Sequence, residues 1–199
     1  ISRDNIQQKK ATTITIKNKE DYMNRLIITK YRHGFDELLV HYEDPTVVDS
    51  IRKTLHGLLG MEIIDQKANN CTIKNIAEAL DENAEAMFKR MFHIILTMAD
   101  SCLEFAHKKD AEKIVLIIEL RETLLKLTEF NLRIINKTAN QSVEQKSIAF
   151  FSTWNIGVLG KMWSYLAKEW SEQIKLQKIS LSNKEIIFID SMQEVQIGR

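Results

Sequence analysis

Between Ala11 and Ile76 the hydrophobic and polar positions change period every few residues. In "TTITIK", Ile14 and Ile16 share one face with threonines between them, the period of two expected of a half-buried strand. Met23, Leu26, Ile27 and Tyr31 then recur at three- and four-residue steps, predicting a helix from about Asp21 to Arg32 that Gly34 ends. "FDELLVHY" is predicted as the second strand. Asp44 followed by Pro45 predicts an N-cap with proline at the first helical position, opening a helix that runs to about Leu59 and is closed by Gly57 and Gly60. "MEIIDQ" and "CTIKNI" flank the polar tip "KANN", which suits a hairpin turn. The order strand, helix, strand, helix, strand, strand predicts a small open sheet layered with two helices.

From Asp81 the pattern turns helical. Leu80, Ala84, Met87, Met91, Ile94, Met98, Cys102 and Phe105 make one apolar stripe on one long helix. "HKKD" breaks it, with Asp110 placed to cap a second helix from about Ala111 to Asn136. After the polar connection "NKTANQS", a third helix begins near Val143 and carries Ile148, Phe151, Val158, Met162, Leu166 and Trp170. Three long antiparallel helices with apolar stripes predict a bundle. The expected organisation is α+β: a disordered lead-in over residues 1–10, a small α/β domain over 11–76, a helical bundle over 81–175, and a tail over 176–199 in which "KISLSNKEIIFID" fits two short strands or a loop before a helix.

Composition narrows the function classes. With 28 Lys+Arg against 27 Asp+Glu, no global field draws this surface toward nucleic acid or anionic lipid. No apolar run is long enough to span a bilayer, and "ISRDNIQQKK" is not a signal peptide, so the chain is expected to be cytoplasmic and, starting at Ile1, an internal fragment or one lacking a disordered start. Cys71 and Cys102 are isolated thiols without metal spacing, which suits a reducing compartment.

Residue by residue, little chemistry emerges. There is no Gly-x-Ser-x-Gly, no Walker loop and no His-Glu-x-x-His, so an enzyme is not expected. Asp100, Glu104 and His107 lie at i, i+4, i+7 on one side of the first long helix, the best metal-like cluster, but such a row is the usual make-up of a solvated helix face. Phe150, Phe151, Trp154, Trp163, Tyr165 and Trp170 crowd the third helix, a pattern expected of a helix buried on two sides, in a bundle and again at a dimer interface.

The stretches "RLIITKYRHGFDEL", "DSIRKTLHGLLGMEII" and "MFKRMFHIILTMADSCLEF" occur in the order of the α/β linker region and first bundle helix of PhoU-type phosphate-uptake regulators, the kind with an AbrB-like DNA-binding segment ahead of the helical domain. The chain resembles that family over most of its length. The resemblance implies a cytoplasmic PhoU-like bundle that regulates by binding proteins such as phosphate-transporter or sensor-kinase components, commonly as a homodimer. Nucleic acid would be reached only through an N-terminal segment missing from this chain.

The family's second and third bundle helices usually carry acidic pairs at i, i+4, which with a neighbouring helix hold an iron or zinc cluster. With Arg133 in the place of the family's arginine, the first pair falls on Arg121 and Leu125; on the third helix the acids fall on Gly157 and Lys161, while the family's glycine remains as Gly160. None of the four binds a metal ion, so neither metal nor cofactor is expected. Arg121 and Lys161 are instead candidate anion or interaction positions, unless they snorkel outward or pair with Glu122, Glu129 or Asp100.

"IGVLGK", Ile156 to Lys161, also resembles the Gly-x-x-Gly loop with which KH domains clamp a nucleic-acid backbone, making RNA binding through Gly157 and Gly160 the alternative function. If the two glycines are helical, each costs about 1 kcal/mol relative to alanine, and close approach of a neighbouring helix is the compensating reason.

Overall fold

The computed structural model describes residues 9–16, 21–76, 84–108, 110–138 and 141–175. The tail 176–199 and most of the 1–10 lead-in lie outside the described residues. The elements are β1 (Ala11–Ile16), α1 (Asp21–Arg32), β2 (Glu37–Tyr42), α2 (Val47–Leu55), β3 (Met61–Gln66), β4 (Asn70–Asn75), α3 (Ala84–Lys108), α4 (Ala111–Lys137) and α5 (Val143–Lys175). The fold is α+β, a four-stranded sheet with its helices and then three long helices. It divides into two compact units, Ile1–Glu82 with Glu129–Lys146, and Asn83–Thr128 with Ser147–Arg199. Residues 129–146, placed within the bundle by their periodicity, thus cluster with the sheet.

In the first unit the strand order is β1-β2-β4-β3, with β1 parallel to β2 and the other pairs antiparallel. The parallel pair needs a crossover, which α1 supplies. Period-two alternation puts Ile14, Ile16, Leu38, Val40, Tyr42, Cys71 and Ile73 on one buried face. Against it α1 buries Met23, Ile27 and Tyr31, and α2 buries Val47, Val48, Ile51 and Leu55. The opposite face, with Thr13, Thr15, His41, Thr72 and Lys74, is exposed or half-buried. A register shift between Ile63 and Asp65 leaves Ile64 exposed while Ile63 keeps its place opposite Ile73.

Turn chemistry accounts for the ends of α1. Gly34 adopts φ +81°, the Gly34 amide donates to the Tyr31 carbonyl at 2.9 Å, and the Phe35 amide donates to the Lys30 carbonyl at 3.2 Å, the paired bonds of a Schellman ending. The α2 expectation needs correction. Asp44 and Pro45 do not open the helix; the Asp44 carboxylate accepts from the Thr46 amide at 2.9 Å in a side-chain turn, and the helix starts two residues later. It stops at Leu55 rather than Leu59, because Gly57 and Leu58 donate to carbonyls three residues back and Gly60, at φ +82°, turns the chain into β3.

The last turns of α4 join this unit through a buried polar hub. The Arg133 guanidinium donates to the carbonyls of Tyr31 at 3.0 Å and Phe35 at 2.8 Å and to Asp36 Oδ1 at 2.5 Å, and lies 4.9 Å from the Tyr31 ring centre. Lys137 Nζ adds a second cation at 2.8 Å from the same Asp36 oxygen, and Asn136 Nδ2 donates to the Arg32 carbonyl at 2.8 Å. Arg32 in turn makes a two-pronged pair with Glu129, at 2.5 and 2.6 Å. The carbonyls freed at the C-terminus of α1 are thereby satisfied by side chains from one face of α4, and cations sit at the negative end of the α1 dipole.

Burial pushes the Asp36 carboxyl up, but the hydrogen bonds from Lys137 and the Lys10 amide, with the charges of Lys137 and Arg133, outweigh it and hold the group below the usual carboxylate range. A carboxyl depressed in the folded state contributes stability above its unfolded pKa of about 4, and that contribution is lost as pH falls through the folded value. Urea titrations between neutral and acid pH are therefore expected to show wild type losing more stability than Asp36→Asn; equal losses would remove Asp36 as the linked group. Arg133→Ala removes one donor each from Asp36 and the Tyr31 carbonyl and leaves the Phe35 carbonyl without its side-chain donor, and is expected to cost about 1–3 kcal/mol in the same titration at neutral pH.

Candidate functional site

In the second unit the stripe expected on α3 is buried at Met87, Met91, Ile94, Met98, Cys102 and Phe105, with Ile95 and Ala99 beside it. Leu80 and the Ala84 side chain lie outside the described residues. Asp110 begins α4 as expected, its carboxylate accepting from the Glu112 amide at 3.0 Å. Lys113 Nζ pairs with Glu104 at 2.5 Å, and the hydrogen bond and charge of Lys113 hold Glu104 low. α4 contributes Ile114, Ile117, Leu124, Leu127 and Thr128 to the interior.

Both glycines of the pair are packed against a neighbouring helix. A Cβ built on Gly160 overlaps Leu124 Cδ2 of α4 and stands 3.4 Å from Ile95 Cδ1 of α3; one built on Gly157 stands 2.9 Å from Thr128 Cγ2. Thr128 is itself tied down, its hydroxyl donating to the Leu124 carbonyl at 2.8 Å. Gly160 meets Leu124 and Gly157 meets Thr128, so α4 runs antiparallel to α5. Ile95 lies by Gly160, and the Cys102 thiol points to the Trp163 carbonyl at 3.9 Å, so α3 and α5 run the same way.

These contacts fix which side of α5 is packed. The buried side consists of Thr153, Ile156, Gly160, Trp163, Ser164 and Ala167, a row of mostly small groups that lets the helices close up. At about 100° per residue, Phe151, Val158, Met162 and Tyr165 fall on the opposite side. All four are exposed, as are Ile148 and Trp154. This corrects the stripe assigned to α5 from periodicity: Ile148, Phe151, Val158 and Met162 do not line the bundle core. Of the crowded aromatics Trp163 is buried, Phe150 and Trp170 are half-buried, and Phe151, Trp154 and Tyr165 face solvent. The outward face of α5 is the candidate functional surface.

The four positions taken from the family's metal motif are spread between interior and surface. Gly157 is half-buried against α4, Lys161 is exposed, Arg121 is half-buried, and Leu125 is exposed. Glu129, one of the acids considered as a partner for Arg121 or Lys161, is engaged by Arg32. Among the described residues no three His, Cys, Asp or Glu side chains gather in a way that could hold a metal ion. Asp100 and His107 are exposed, and Glu104 is taken by Lys113. The KH-like loop is corrected outright: Gly157 and Gly160 lie inside the continuous helix α5, where no loop is available to clamp a phosphate backbone. Among the described residues no helix is long and apolar enough to cross a membrane.

No protein-family model, curated protein or solved structure matches this chain. Function has to be argued from the surface itself.

Periodicity in the sequence had marked the outward residues of α5 as apolar, but could not say which of two apolar faces would pack. Glu129, Arg133 and Lys137, at i, i+4 and i+8, were a second readable signal, a charged row on one helix face whose partners lie about a hundred residues upstream.

Two outcomes test this geometry. In an unconstrained helix Gly→Ala stabilises by about 1 kcal/mol; Gly160→Ala is instead expected to lose about 1–3 kcal/mol from overpacking against Leu124, measured by chemical denaturation, and a gain would refute the close contact. Burial pushes the Cys71 thiol up to about 11 and the Cys102 thiol up to about 12. Neither should react with a thiol reagent at neutral pH until the protein is unfolded, and rapid labelling of the native chain would contradict the packing at those two sites.

Proposed function

We propose that this chain is a non-enzymatic regulator that works through protein contacts, as the PhoU-type phosphate-uptake regulators that it resembles in sequence do. The observation carrying the protein-contact part is the outward face of α5, a row of large apolar side chains on the side of the helix opposite its packed contacts. A helix apolar on two sides is one that meets a second partner surface. The phosphate-signalling part rests on the sequence resemblance. In this reading the protein acts in the cytoplasm as a homodimer, and its further partners are phosphate-transporter or sensor-kinase components.

The test is retention of those components from native lysate by the tagged chain and by Phe151→Glu, whose side chain is 65% exposed and can change without disturbing the core. Wild type is expected to retain transporter or sensor-kinase components and the variant to lose them. A wild-type chain that retains neither would remove the phosphate-regulator reading.

A further inference from the structure

Six exposed positions of α5 form one seam, with the exposed Trp154 beside it. Ile148, Phe151, Asn155, Val158, Met162 and Tyr165 follow one another at alternating steps of three and four, all are exposed, and five of the six are large and apolar. An average step of 3.5 residues keeps one seam turned toward a partner helix, whereas a helix packed on a mixed surface follows 3.6. The one polar member, Asn155, lies inside the seam with apolar residues on both sides. A single asparagine at such a position sets register and partner number in paired helices, at some loss of stability.

We propose that this seam pairs with the same seam of a second copy of the chain, with the twofold axis passing beside Asn155. This rests on the reading of the α5 outer face as a protein-contact surface and names its occupant. Two properties of the seam favour a second copy over an unrelated protein. A carboxamide carries both donors and an acceptor, so Asn155 is self-complementary across a twofold, where it meets its own copy; against an apolar partner it would be stranded. Area is the second property. Ile148, Phe151, Val158, Met162 and Tyr165 are between 40% and 67% exposed. With about 150–250 Å² for a large side chain, they present roughly 550 Å², the size of the largest apolar patch of a typical monomer. One such patch is small for a stable interface, but two facing each other bury roughly 1,100 Å², just above the roughly 1,000 Å² that a biological interface clears.

The test uses the full chain in sedimentation equilibrium, from about 1 to about 100 µM, the span in which a modest interface associates. Wild type is expected to dimerise, and Met162→Glu and Val158→Glu to weaken association at least about tenfold, or about 1.4 kcal/mol, with unchanged helical circular dichroism. Asn155→Cys is expected to form a disulfide-linked dimer under mild oxidation, since the native Cys71 and Cys102 are buried. A monomeric wild type, a dimer as strong in both glutamate variants as in wild type, or a dimer that Asn155→Cys does not cross-link overturns the proposal. A monomer that still loses a retained protein on Met162→Glu overturns self-pairing alone and leaves the protein-contact reading standing. Dimerisation through the seam, with no transporter or sensor-kinase component retained, supports self-pairing and removes only the phosphate-regulator reading.

Discussion

Arg133 is a buried cation, and the acceptors that satisfy it decide where the end of α4 must lie. Leaving a guanidinium unpaired in the interior costs several kcal/mol, so the Tyr31 and Phe35 carbonyls and the Asp36 carboxylate are required partners. All three lie at the junction of α1 and β2. Once they are engaged, Lys137 comes within reach of Asp36 and Asn136 within reach of the Arg32 carbonyl, so one buried charge organises a face of two turns. The carbonyls involved belong to the end of α1, where the helix leaves acceptors unused and its dipole is negative. The hub is therefore specific in a way that apolar packing alone would not be.

In the second unit the constraint is distance. α5 has two apolar faces, and the one that packs is not the one with the larger side chains. Gly157 and Gly160 let α5 approach its neighbours until a Cβ added at Gly160 would overlap Leu124 and touch Ile95, while Phe151, Met162 and Tyr165 remain outside. Close packing of small groups gains dispersion contacts from backbone as well as side chains, enough to offset the propensity lost at two glycines. Every large residue excluded from that interface is left for a different one.

Local rules made most of the first unit legible in the sequence. Alternation gave the four strands, Gly34 ended α1 at the residue its pattern indicated, and the α1 range agrees to the residue, because these features depend on neighbours a few positions apart. α2 shows where such rules compete: Asp44 can cap a helix or close a side-chain turn, and the backbone took the turn. The joining of residues 129–137 to the sheet was not legible, because periodicity assigns a helix its faces without naming what each face meets. The same gap reversed α5. Its pattern announced two apolar faces, and only the overlap of an added Cβ at Gly160 with Leu124 shows which is inside.

That reversal bears on what α5 can do. The turn from Gly157 to Lys161 is pressed against Thr128 and Leu124, with Gly157 and Gly160 at the contact and Lys161 turned to solvent. An aspartate side chain at Gly157 would begin with a Cβ 2.9 Å from Thr128 Cγ2, so an acid would fit there only if Thr128 or the helix carrying it moved away. Closeness of packing and a carboxylate-lined cleft are thus alternatives for one pair of helices. By taking the first, α5 closes its inner face at Gly157 and Gly160, and the outer seam is its exposed apolar surface. A surface of that kind recognises by shape and apolar area, with Asn155 as its one polar mark of register.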